Sequence, residues 1–279
     1  THTSDISSAA SDVYKRQQLY HALEQGELSL HYQPKIDLQT GRVNSMEALV
    51  RWDNPKLGSV SPEIFIPVAE RTGLINKIGE WVTREACRQA RRWVDAGFVD
   101  VGVAVNLSAL QFRQEDLHQR IIATLEDVGL EHRLLEVEIT ESVVMENYDM
   151  AIRILEGLNK AGNHLAVDDF GTGYSSLAYL KYLPLSTLKI DRSFLSGTVP
   201  DKQDELIISA IIAMAHSMGL AVVAEGVENT AQKVFLAGLG CDEMQGYLVS
   251  KPVPQDAVLA LLRKHNGEDL AARRNRVPA

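Results

Sequence analysis

Cysteine is nearly absent: Cys87 and Cys241 are the only two among 279 residues. They lie far apart and form no CxxC pair. The sequence therefore carries no disulfide framework or thiolate metal motif, and two reduced, buried thiols are expected. Long hydrophobic runs are missing as well. No stretch approaches the roughly 20 apolar residues of a membrane span, and no signal-peptide pattern is present. The chain is expected not to insert into a membrane and to sit in the cytoplasm, with any anchor left to an upstream part of the native protein. Net positive charge is also lacking, since 28 Lys and Arg against 37 Asp and Glu give −9. Such a surface does not attract DNA, RNA or acidic lipid as a whole, although local cations can still hold a small anion.

The chain is long enough for one large core or two medium ones. Residues 1–17 are small and polar, and "DVYKRQ" matches the translation of a transposon end used in library preparation. This segment is read as disordered or artefactual and is set aside. From residue 18 to 265, apolar β-branched runs alternate with segments of helical period, and no Pro/Gly/Ser linker intervenes. The expected strands are "SLHYQPKID", "RVNSMEALVRW", "VGVAVNLS", "LLEVEIT", "HLAVDDF", "TLKIDRS", "LAVVAEGV" and "CDEMQGYLVS". Helices such as "GEWVTREACRQARRWVDAG" and "DELIISAIIAMAHSMG" separate most of them, stopping at Gly97 and Gly219. About eight βα units predict one domain, a (β/α)8 TIM-like barrel. A doubly wound open sheet is the alternative, but neither GxGxxG nor GxxxxGK[ST] is present. The "LQTGR" linker between the first two strands is too short for a crossover helix, so the first strand is expected to be antiparallel. Residues 266–279 read as a polar, frayed tail.

Polar residues stand at the ends of these strands in turn: Glu47, Asn106, Glu138 with Glu141, Asp168 with Asp169, Lys189 with Asp191, Glu225 with Glu228, and Gln245. In a barrel those ends converge on one face, where such folds place their chemistry. A ring of carboxylates there needs a cation. Oxygen donors without histidine or cysteine point to Mg²⁺ or Mn²⁺. Adjacent residues of a regular strand face opposite ways, so Asp168 and Asp169 cannot both point inward unless the strand departs from regularity. Two carboxylates at one strand end can serve two metals, an arrangement suited to hydrolysis of a phosphodiester.

Each residue also has a structural reading. Asn106 suits a helix N-cap, Asp191 a cap of the next segment, and Glu228 the dipole of a following helix. Gly171 and Gly173 suit a turn. Lys189 suits a solvated strand edge, and His164 a structural position. Jointly, six or more acidic or amide residues at successive strand ends are hard to explain as structure.

The motifs "YQPKIDLQTG", "MEALVRW", "VNLSALQF", "EITES", "DDFGTGYSSLAYL", "LKIDRSF", "AEGVE" and "QGYLVSKP" run in order along residues 18–264. Together they resemble the EAL domain, the cyclic di-GMP phosphodiesterase family of bacterial signalling. The resemblance implies a barrel with an antiparallel first strand, two Mg²⁺ or Mn²⁺ ions with Ca²⁺ inhibitory, and hydrolysis of cyclic di-GMP to linear pGpG. It implies that Glu47, Asn106, Glu138 and Asp168 bind the first metal, with Asp168 bridging to a second beside Asp169. Lys189 is implied to position the attacking water, with Glu225 supporting that arrangement. Gln33 and Arg51 are implied to contact substrate, with Gln245 near the metal site. Glu141 is implied to anchor the "DDFGTGYSS" loop, which couples metal binding to homodimerisation. Leu177, Tyr179 and Leu180 of "SSLAYLKYL" fit either a dimer contact or the core. Degenerate family members bind cyclic di-GMP without cleaving it, so a receptor is the alternative, but no departure is found at these positions. EAL domains are often fused to an upstream GGDEF or sensory domain.

Overall fold

The structure is a computed structural model and describes residues 15–171, 180–195, 197 and 202–267. Its centre is a closed barrel of eight strands. They are β1 (Leu28–Asp37), β2 (Val43–Asn54), β4 (Gly102–Asn106), β5 (Leu135–Thr140), β6 (His164–Phe170), β7 (Thr187–Ile190), β8 (Ala221–Ala224) and β9 (Glu243–Met244). Strand β1 pairs antiparallel with both β2 and β9, while the pairs from β2 and β4 round to β8 and β9 are parallel. This is the TIM-like barrel with an antiparallel first strand, and residues 38–42 form the tight turn of its hairpin. Two short strands, β3 (Gly58–Val60) and β10 (Val253–Pro254), extend the edges of β2 and β1.

The helices form the outer layer: α1 (Pro62–Thr72), α2 (Leu74–Asp95), α3 (Leu117–Val128), α4 (Glu141–Glu146), α5 (Tyr148–Ala161), α6 (Lys202–Ser217), α7 (Thr230–Gly238) and α8 (Gln255–Asn266). The apolar stripe of α2 explains its seat. Val82, Ala86, Ala90 and Trp93 recur at helical spacing and are buried, and Trp93 meets Tyr32 of β1 edge-on. The helix ends at Asp95, two residues before left-handed Gly97. Both cysteines are free and buried, and burial pushes each thiol up to about 12. Among the described residues no helix is long and apolar enough to cross a membrane.

Two strands depart from expectation. The "CDEMQGYLVS" run is a strand only at Glu243–Met244. Beyond it the chain turns, because Gly246 passes against the backbone of Val227, where a Cβ would lie 2.2 Å from the carbonyl oxygen. Pairing with the β8 segment continues through Gln245, whose N–H donates to the Ala224 carbonyl at 2.8 Å and whose carbonyl accepts from Val227 N–H at 3.0 Å. The second departure is a bulge in β6, where the register with β7 slips between Val167 and Phe170. Asp169 sits there in the left-handed region, φ 54°, the sole non-glycine among the described residues to do so. Leu180 is buried in the core rather than exposed. The "DDFGTGYSS" loop beyond Gly171, with Leu177 and Tyr179, lies outside the described residues.

Candidate active site

The bulge answers the problem posed by two adjacent aspartates. Left-handed φ at Asp169 breaks the alternation, so both carboxylates can reach one site. Oxygens of Asp168, Asp169 and Glu225 lie within 4.8 Å of one another, as do oxygens of Glu47, Glu138 and Asp168. Asp168 belongs to both groups. The Asp168 carboxylate also accepts from the backbone N–H of Asp169 at 2.9 Å, which fixes the bend. Asp tolerates this backbone region better than most residues, because its short polar side chain bonds locally.

At the centre stands Lys189, fully buried on β7. Its Nζ lies 2.7 Å from Glu138 Oε2, 3.1 Å from Asp168 Oδ2, 2.7 Å from Glu225 Oε1 and 4.0 Å from Glu47 Oε1. Burial would lower the affinity of this amine for its proton, but Glu138, Glu225, Glu47 and Asp168 hold it charged, well above the usual lysine range. Glu47 is oriented by two amides. Asn106 Nδ2 donates to its Oε1 at 2.7 Å, and Gln245 Nε2 donates to its Oε2. Gln245 also donates to Gln33 Oε1 at 3.0 Å, and Gln33 in turn donates to the Ser250 carbonyl at 3.1 Å.

One ammonium does not balance these carboxylates. Burial raises Glu47 and Asp168 above the usual carboxylate range despite Lys189. Asp169 is raised by burial and then by Asp191, and burial pushes Glu225 up to about 8. Glu138 differs: burial would raise it, but Lys189 and Lys35 outweigh that and bring it down to about 2. An all-oxygen donor set, an excess of buried negative charge and two carboxylate groups sharing Asp168 fit two hard divalent cations. The buried Gln245 Oε1, which has no hydrogen-bond partner among the described residues, adds another oxygen at the same place.

The mouth is an open cleft lined by Gln33, Glu47, Leu49, Asp191, Arg192 and Tyr247 among others. A second, apolar recess of about 430 Å³ adjoins it, shares Leu49, and has Arg51, Asn106 and Ser108 on its wall. Arg51 is half-buried and, four residues from Glu47, shares its face of β2. Asp191 caps the turn after β7, accepting from Ser193 N–H at 2.9 Å, as its structural reading required. His164 is exposed at the opposite end of β6, away from this cluster. Glu228 is exposed ahead of α7, whose cap is the Asn229–Gln232 box. Glu141 opens α4 outside the cluster and lines a small apolar cavity with Phe170 and Leu180.

One buried charge, Lys35, and its half-buried partner Glu136 escaped the sequence reading. Lys35 of β1 bonds both Glu138 and Glu136, and Thr187 Oγ1 holds Glu136 at 3.1 Å. The signal was the two-residue period: Lys35 follows Gln33, and Glu136 precedes Glu138, on the same inward faces.

A model of the EAL domain matches residues 16–252. The chain belongs to the EAL domain family. This EAL domain is 47% identical over 258 residues to the bifunctional diguanylate cyclase/cyclic di-GMP phosphodiesterase MucR of Pseudomonas aeruginosa, covering 91% of this chain and 38% of MucR. It is 44% identical over 257 residues to the cyclic di-GMP phosphodiesterase NbdA of the same organism, covering 92% of this chain and 33% of NbdA. With the cyclic di-GMP phosphodiesterase PdeR of Escherichia coli, identity is 39% over 236 residues, covering 85% of this chain and 35% of PdeR. The chain thus spans about a third of the length of these relatives. Among solved structures, the Pseudomonas aeruginosa MucR phosphodiesterase in complex with c-di-GMP superimposes with a TM-score of 0.84 at 47% identity. That match covers 88% of this chain and 99% of the other.

Proposed function

We propose that this EAL domain is a metal-dependent phosphodiesterase that hydrolyses cyclic di-GMP to linear pGpG. The observation that carries the reading is the pair of carboxylate groups joined at Asp168 around Lys189. Two ions of Mg²⁺ or Mn²⁺ held there would supply Lewis acidity toward phosphoryl oxygens and a nucleophile from water at neutral pH. Glu47, Asn106, Glu138 and Asp168 would hold the first ion, and Asp168, Asp169 and Glu225 the second. The amides of Asn106 and Gln245 keep Glu47 oriented.

Lys189 is anchored by three carboxylates before substrate arrives, so its charge faces the reacting phosphate without further reorganisation. Arg51, on the wall of the recess, would supply a second cation toward the phosphate. The substrate is a dianion with two flat bases, and the site offers it two compartments. The Tyr247 ring on the cleft side and the apolar recess beyond Leu49 each suit a guanine face. The negative net charge is no obstacle, because ions, Lys189 and Arg51 make the site locally positive.

The same reading includes a homodimer and an upstream GGDEF or sensory domain. The greater length of the relatives, and the cyclase activity in MucR's name, support the second.

The test is turnover of cyclic di-GMP by the purified chain with Mg²⁺, Mn²⁺ or Ca²⁺, with products separated by chromatography. Linear pGpG with Mg²⁺ or Mn²⁺, and little with Ca²⁺, is expected. Tight cyclic di-GMP binding without product under every ion would turn the reading to a receptor.

A further inference from the structure

We propose that Lys35 is a positioning residue for the cation site, fixing the Glu138 carboxylate from beneath. The inference rests on the reading of Glu138 as a metal ligand. Lys35 is 1% exposed and Glu138 0%. The two oxygens of Glu138 are held from opposite levels: Lys35 Nζ bonds Oε1, and Lys189 Nζ bonds Oε2 at 2.7 Å. Lys189 is shared with Asp168 and Glu225, so it does not define Glu138 alone. Lys35 also bonds Glu136, two residues earlier on the same strand face. It therefore ties two carboxylates of β5 to β1, a strand on the far side of the barrel that contributes no carboxylate to the cage. Gln33, two residues before Lys35, does the same for Glu47 through Gln245. Strand β1 thus serves as a brace, with Gln33 orienting one carboxylate and Lys35 the other.

A purely structural role would be neutralisation of Glu136, leaving Glu138 to Lys189. The two roles separate at constant net charge. Changing Lys35→Met together with Glu136→Gln removes one positive and one negative charge from neighbouring positions. Methionine retains an unbranched stem of similar length, and the amide that replaces the Glu136 carboxylate still has an oxygen to accept from Thr187. If Lys35 only neutralises Glu136, the double variant is electrostatically balanced and binds cations as before. If Lys35 positions Glu138, affinity falls although the overall charge is unchanged. The sign is informative too, since loss of a lysine by itself favours a nearby cation through simple Coulomb attraction.

The experiment is calorimetric titration of the metal-free chain with Mn²⁺, for wild type and for the double variant, with thermal melts in the absence of metal. The expected result is an Mn²⁺ affinity weakened at least about tenfold in the double variant, with the cooperative metal-free melt retained. Glu136→Gln alone, which leaves Lys35 on Glu138, is expected to stay within about threefold of wild type, as befits the loss of one neutralised charge. A double variant weakened by less than about tenfold would overturn the proposal while leaving the metal reading intact. A wild type that takes up no Mn²⁺ would overturn both.

Discussion

Two levels of the same barrel interior handle charge in opposite ways. At the lower level Lys35 meets both Glu136 and Glu138, and Glu138, which joins this level to Lys189 above, is held ionised by the two ammoniums, down to about 2. At the upper level Glu47, Asp168, Asp169 and Glu225 crowd around a single Lys189, and burial drives Glu225 up to about 8. Both levels contain buried carboxylates, and the supply of counter-charge separates them. Below Glu138, Lys35 and Glu136 pair within the chain. The upper level is left with too few cations, and that shortage is what makes it the candidate cation site.

Asp168→Asn breaks the upper level most severely. It removes the oxygen common to both carboxylate groups, so cyclic di-GMP turnover should fall by at least about a hundredfold to a thousandfold. The metal-free melting temperature should hold or rise, because a repelling carboxylate has gone. Lys35→Met attacks the lower level with the opposite signature. It strips a buried pair of its cation and should cost about 3–5 kcal/mol in urea unfolding. Equal stability losses for the two variants would erase the distinction between levels.

Adding Mn²⁺ sharpens the contrast. Present at about 100 times its dissociation constant, the ion should stabilise the wild type by about 2.7 kcal/mol by mass action, and Asp168→Asn hardly at all. The smallest effect is in pH. In metal-free protein Glu225 is raised from its unfolded value, so its contribution to stability is full below about 4.5 and is lost as pH rises through about 8. Glu138 is depressed, so its contribution is present above about 4.5 and lost as pH falls through about 2. Glu225→Gln should therefore flatten only the alkaline limb of a stability profile, and Mn²⁺ should abolish that limb in the wild type.

The upper level was legible in the sequence because its residues stand at the ends of apolar runs, where a polar side chain is conspicuous. Glu47, Asn106, Glu138, Asp168, Lys189, Glu225 and Gln245 were each visible in that way, and the structure brings them together. The lower level was hidden by the same logic. Lys35 and Glu136 lie within runs that read as strand, and their inward direction becomes meaningful only when the barrel closes and sets β1 across from β5. The hairpin of β1 and β2 was legible from loop length alone. The bulge was not, since "LAVDDF" carries no glycine at the kink and only the pairing with β7 exposes the slipped register. The shortness of β9 was equally concealed, because the obstacle at Gly246 is the backbone of Val227, nineteen residues earlier in a chain that reads as another strand.

The reversed direction of β1 also determines where the domain can be wired to anything else. Leu28 pairs with Trp52 near the far end of β2, so β1 descends from the mouth of the barrel toward its floor. The lead-in to β1 is consequently at the mouth. It is clamped there by Glu27, whose carboxylate accepts from Trp52 Nε1 and Asn54 Nδ2, each at 2.9 Å, and by the buried Leu19 and Ala22. A barrel that began with a parallel strand would receive its preceding chain on the floor, a full strand length from the chemistry. Here the segment ahead of residue 28 is tied to the rim against the very strand that carries Glu47 and Arg51, so the chain enters β1 on the face that holds the carboxylate cluster.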